Sequence, residues 1–173
     1  MRWIAFYSMI LLAITNNLGF AQKQKEEMKD GKKYKIEKSE KEWREVLDGN
    51  AFRVLREKGT ERAFTGKYDH FFEKGDYYCK GCGNRLFSSD TKYNSGCGWP
   101  AFYDVQKEAI EYKSDNSYGM KRVEVLCADC GGHLGHVFND GPKDKTGIRF
   151  CINSAALEFR KKEGKEDKKK KDD

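Results

Sequence analysis

The chain lacks an apolar run long enough to span a bilayer. Its longest, Trp3 to Ile14, falls well short of the ~20 residues that a membrane helix needs. A block of basic residues free of acids is also missing. The formal charge is +6 and 36% of residues are charged, but lysines are mixed with acids along most of the chain. That is the pattern of a solvated surface rather than of a nucleic-acid footprint or a zinc-ribbon module holding an anionic partner. No internal repeat occurs beyond a pair of cysteine motifs. Histidine is scarce, with only His70, His133 and His136 present. "HFFE" at His70 to Glu73 lacks the H-x-E spacing of a zinc deaminase, so nothing points to an open catalytic metal with a glutamate base. A length of 173 residues leads to the expectation of one domain with tails.

The opening residues, "MRWIAFYSMILLAITNNLGFAQ", combine Arg2, the apolar run, and Gly19 and Ala21 on either side of Phe20. This is the layout of a secretory signal peptide over residues 1–21, and it implies an exported protein, periplasmic or secreted. No cysteine follows Ala21, so a bacterial lipoprotein is not indicated. Residues 22–35 are charged and nearly free of large apolar side chains, the composition of a flexible linker. Ser39 stands three residues before Glu42 as in a capping box, and Trp43, Val46 and Leu47 follow at helical spacing, which predicts a short helix. Ala51 to Leu55 predicts a second, ended by Gly59. From Asp76 onward short alternating segments take over: Tyr77 to Cys79, Arg85 to Ser88, Ile110 to Tyr112, Arg122 to Cys127, His136 to Phe138 and Ile148 to Asn153. With glycine-rich turns between them, they predict a mainly β, mostly antiparallel domain. The tail, residues 161–173, has seven lysines, five acids and no aromatic residue, and is expected to be disordered.

Four of the six cysteines form "CKGCGN" (Cys79, Cys82) and "CADCGG" (Cys127, Cys130), two C-x-x-C knuckles each followed by glycine. Such a pair suits a closed, structural, tetrahedral zinc. A disulfide framework or a redox C-x-x-C is the competing reading, and Cys127, Cys130, His133 and His136 form another metal-like set that would strand Cys79 and Cys82. Cys97 in "SGCGWPAF" and Cys151 in "RFCINSAAL" have no cysteine partner nearby in the sequence. They could form one structural disulfide, or act as a mobile resolving thiol and a fixed reactive one. With a period of two, Arg149, Cys151 and Asn153 share the polar face of a strand, opposite Phe150 and Ile152. Arg149 would favour a thiolate at Cys151. His133 and His136, two histidines within four residues around Gly135, raise the odds that at least one lines a site.

In order, "YYCKGCGNRLF", "SGCGWPAF", "CADCGGHLGHVFNDGP" and "RFCINSAALEF" resemble the B type of peptide-methionine sulfoxide reductase, which acts on the R epimer of methionine sulfoxide. The likeness runs over residues 36–160. It implies two antiparallel β-sheets with a structural zinc and a thiol site away from the metal. By motif, Cys151 is the implied nucleophile and Cys97 the implied resolving thiol. Trp99 is placed against the substrate's S-methyl group, with Arg149 on the same substrate side, and His136, His133 and Asn153 around the sulfoxide oxygen. Ala101 stands where serine is common after "GWP". The A-type "GCFW" motif is absent, so no fused partner domain is expected. The implied partners are oxidised proteins and a thioredoxin-like reductant, with the enzyme a monomer.

Overall fold

Ser39 opens the first helix as its spacing predicts. In the computed structural model of the protein, which describes residues 33–162, the Ser39 hydroxyl accepts the Glu42 N–H and the Glu42 carboxylate accepts the Ser39 N–H. This reciprocal cap satisfies two donors that a helix start leaves orphaned. It begins α1, Glu40–Val46, which buries Trp43. Asp48 caps α2, Gly49–Leu55, through the N–H groups of Asn50 and Ala51. The helix stops earlier than the glycine signal predicts, because Arg56 is already its C-cap. Lys58, at φ 55°, takes the left-handed position, and Gly59 only donates its N–H back to the Arg53 carbonyl at 2.9 Å. The expected signal peptide, most of the linker and nearly all of the charged tail lie outside the described residues. At the linker's far end Lys35 pairs with Asp129, and the Ile36 N–H bonds the Asp129 carbonyl.

Among the described residues, nine strands follow. β1 (Gly75–Cys79), β2 (Arg85–Ser88) and β9 (Leu157–Lys161) make one antiparallel sheet in the order β2-β1-β9. Six more make the other: β3 (Lys92–Tyr93), β4 (Ala101–Phe102), β5 (Ile110–Asp115), β6 (Arg122–Cys127), β7 (His133–Phe138) and β8 (Arg149–Ile152), in the order β3-β4-β8-β7-β6-β5. Among the described residues, the mainly β fold with two antiparallel sheets and two short helices agrees with the expectation. Three strands escaped the alternation pattern. β3 and β4 have two residues each, too short for any period to register. β9 runs through Lys161, paired with Gly75, although Lys161 reads as the first residue of the charged tail.

An aromatic cluster joins the sheets. Phe87 of β2 stacks on Phe102 of β4 with centroids 4.4 Å apart, Tyr77 of β1 meets Phe102 edge-on at 5.1 Å, and Phe150 of β8 packs on Phe87. Offset and edge-on pairs of this kind each add roughly 0.5–1.5 kcal/mol beyond simple burial. β8 shows the predicted alternation, with Phe150 and Ile152 buried and Arg149 and Cys151 half-buried. The core therefore fixes which way Cys151 faces. Among the described residues no helix is long and apolar enough to cross a membrane.

Candidate active site

The two knuckles meet. The sulfurs of Cys79, Cys82, Cys127 and Cys130 all lie within 4.8 Å of one another, with Cys79–Cys130 at 3.8 Å and Cys82–Cys127 at 3.5 Å. Each turn closes the same way: the N–H of Gly83 bonds the Cys79 carbonyl and that of Gly131 the Cys127 carbonyl, both at 2.8 Å. Both glycines hold positive φ, 78° and 68°, a conformation that disfavours a side chain. The four cysteines form a set that could hold a metal ion. The rival set fails geometrically, because His133 and His136 turn to carboxylates: His133 Nδ1 lies 2.7 Å from Glu124 Oε1, and His136 Nε2 lies 2.7 Å from Asp115 Oδ2.

Cys97 and Cys151 are brought together elsewhere, by strand register. β4 pairs with β8 so that Ala101 faces Cys151, and the Ile152 N–H bonds the Pro100 carbonyl at 3.0 Å. Gly96 and Gly98, at φ 69° and 90°, turn the preceding loop back. The result is a Cys97 Sγ to Cys151 Sγ distance of 3.5 Å, about 1.5 Å of approach from a disulfide. The two thiols share a proton unequally. The Cys151 thiol bonded to Cys97, aided by the Ser95 hydroxyl at 2.9 Å, brings Cys97 down to about 5 despite its partial burial. Cys97 in turn, with burial, pushes Cys151 well up. Arg149 favours the thiolate at both sulfurs, in the direction the sequence suggested, but at Cys151 the neighbouring Cys97 and burial outweigh it. Its guanidinium is already engaged, bonded twice to Asp140 at 2.8 Å and lying over Phe138.

Cys151 opens on a cleft of about 160 Å³ that Trp99, His136 and Asn153 also line, whereas Cys97 opens on a separate groove beside Tyr93, Asn94 and Asp140. His136 faces Cys151 across the β7–β8 register. Gly135 makes this possible, since a Cβ there would lie 2.1 Å from the Cys151 carbonyl oxygen. Asp115 is held well below the usual carboxylate range by the Ser117 hydroxyl and N–H and by His136, so it is ionised and can only accept. That places a proton on His136 Nε2. Burial pushes the His136 pKa down while Asp115 pulls it up, and burial prevails. His133 is buried behind His136, their rings 5.5 Å apart and edge-on. Asn153 lines the cleft, but its amide is committed to the backbone: Oδ1 accepts the Glu61 N–H and Nδ2 donates to the Leu134 carbonyl, both at 3.0 Å.

Several site residues carry no motif and were missed. Thr60 and Arg122 line the cleft, and Arg122 bonds Asp115 at 2.6 Å. Glu61 ties the site together. Its backbone carbonyl accepts the Trp99 indole N–H at 3.1 Å, and its carboxylate accepts the N–H groups of Ser154 and Ala155 at 2.6 and 3.0 Å. Glu124 is the one with a signal in the sequence, an acid inside the apolar "VEVL" of β6, since buried carboxylates need partners. Burial pushes its carboxyl up, but His133 and Lys58 together bring it below the ordinary value.

Residues 47–161 match the SelR domain. A peptide methionine sulfoxide reductase MsrB of Leptospira interrogans is 54% identical over 129 residues, 74% of this chain and 98% of the relative. Another from Methanosarcina mazei is 57% identical over 135 residues, 76% of this chain and 96% of the relative. A third, from Bradyrhizobium diazoefficiens, is 55% identical over 129 residues, 74% of this chain and 92% of the relative. With its thiol pair, cleft and cysteine cluster in place, the chain belongs to the SelR-domain family of MsrB peptide methionine sulfoxide reductases.

Proposed function

We propose that the protein reduces methionine-R-sulfoxide in oxidised proteins, that it works as an exported monomer, and that its four-cysteine cluster holds a structural zinc. The names of the relatives support the sulfoxide chemistry, and the leader-like opening residues support export. Four thiolates make a closed tetrahedral set with no position left for water or substrate, which suits zinc in a structural role. The observation that carries the mechanism is the 3.5 Å separation of Cys97 and Cys151 beside a cleft flanked by Trp99 and His136.

The sulfoxide enters with its S-methyl group against the Trp99 indole. The Cys151 sulfur takes the oxygen and the thiol proton ends on it, so thiol and sulfoxide become sulfenic acid and methionine. His136, with its proton on Nε2 and Nδ1 unprotonated, relays that proton, a task suited to an imidazole near neutral pH. Cys97 attacks the sulfenic sulfur, its thiol proton goes to the departing hydroxyl so that water leaves, and a Cys97–Cys151 disulfide remains. A thioredoxin-like dithiol then reduces the disulfide and is itself oxidised. Cys97, on its separate groove, is the sulfur such a donor meets without entering the cleft.

Replacing Cys97 with serine tests this sequence of steps. The variant should release one methionine per enzyme and leave a sulfenic acid on Cys151 that a dimedone-type reagent traps, while recycling by a thioredoxin collapses. Cys151→Ser should lose even the first turnover. Sustained turnover of Cys97→Ser with a thioredoxin as the sole reductant would remove the resolving step.

A further inference from the structure

A second opening adjoins the cleft. Thr60, Arg122 and His136 line both, so the two adjoin on the His136 side. The second is the roomier, about 630 Å³ against about 160 Å³. Its charges are balanced and mostly committed. Arg122 pairs with Asp115, Lys58 with Glu124, and Arg53 bonds the Thr60 carbonyl, so the groove presents no field that would select a strongly charged ligand.

One side chain has no evident structural use. Tyr118, at the tip of the β5–β6 hairpin, lines this second opening and is 91% exposed. Its backbone is left-handed, with φ 54°, a conformation that an aromatic residue adopts at a cost. An exposed aromatic ring beside a groove whose charges are paired off is suited to an extended polypeptide: the groove's polar groups meet main-chain N–H and C=O groups, and the ring covers an apolar side chain. A methionine sulfoxide that fills the cleft must leave its own main chain outside, and the adjoining opening is where one flank of that chain can lie.

From this we infer that the groove beneath Tyr118 binds the polypeptide flanking the oxidised methionine, with the Tyr118 ring as its apolar contact. The inference rests on the sulfoxide-reductase reading and deepens it.

The test compares two substrates, with dithiothreitol as reductant so that no protein donor is involved. One is an N-acetylated, C-amidated methionine-R-sulfoxide; the other is a peptide with that residue flanked by several others. Tyr118→Ala should lower the ratio of kcat/KM for the peptide to that for the blocked amino acid by about three- to tenfold, the loss expected for one aromatic contact, and Tyr118→Phe should restore it. An unchanged ratio overturns the proposal. So does a loss that appears only when a thioredoxin replaces dithiothreitol, since the surface would then belong to the donor. Inactivity of the wild type on both substrates would instead overturn the reductase reading on which the groove depends, and is distinct from those two results.

Discussion

The molecule has two places where cysteine sulfurs approach within 4 Å, and they are built in opposite ways. At the knuckles, two of the closest contacts are 3.8 and 3.5 Å, Cys79, Cys127 and Cys130 are buried, and each turn is closed by its own backbone hydrogen bond and a left-handed glycine. At the Cys97–Cys151 pair the distance is 3.5 Å, but both thiols are half-buried and open onto different hollows. Sulfur proximity is thus shared by a site suited to a metal and a site suited to redox chemistry. Access and number separate them: four thiolates facing inward satisfy an ion, while two with an open cleft satisfy each other only until a substrate arrives.

The sharpest way to break this contrast is at the knuckles. Cys79→Ser should reduce bound metal and stability together, lowering Tm by roughly 10 °C or more, as expected for losing about 3 kcal/mol from a domain of this size. Metal content and calorimetry on one preparation would show it. If Tm were unchanged and only turnover lost, the knuckles would belong with the reactive pair.

A smaller effect is expected where the thiol site is braced. Glu61→Ala leaves the Ser154 and Ala155 N–H groups without their partner and loosens the segment that holds the Trp99 indole. KM for a sulfoxide substrate should rise about tenfold while kcat changes less. Glu61→Gln, which keeps the chain length and a carbonyl acceptor, should recover most of the loss. An unaltered KM beside a lowered Tm would make this brace structural only.

The smallest and most specific effect concerns charge. With Cys97 held at about 5, its alkylation should rise with pH through that value and level off before neutrality, because the thiolate is the reactive form. Cys151→Ala removes the largest cause of the shift, so the midpoint should move up toward the ordinary ~8.5. Alkylation near pH 6 should then slow at least about tenfold. A midpoint that stays put would mean that Ser95 and Arg149, rather than the neighbouring thiol, set the charge.

The parts of this protein written in local spacing were legible from the sequence alone. The capping box at Ser39, the glycine-tailed knuckles, and the phase of β8 that turns Cys151 away from Phe150 and Ile152 all involve residues within a few positions of one another, where helix, turn and pleat geometry dictate the outcome. The roles of Trp99 and His136, by contrast, came from the family resemblance of the motifs that hold them. The surroundings of those residues could not be read from either. Asp115 reaches His136, Glu61 reaches Trp99 and Ser154, and Arg149 is neutralised by Asp140, all through pairings set by register and loop path. The opposite shifts of the two thiols, Cys97 down and Cys151 up, were decided only in three dimensions. A pKa answers to every donor and dipole within a few ångströms, and the donor that matters most here lies 54 residues away along the chain.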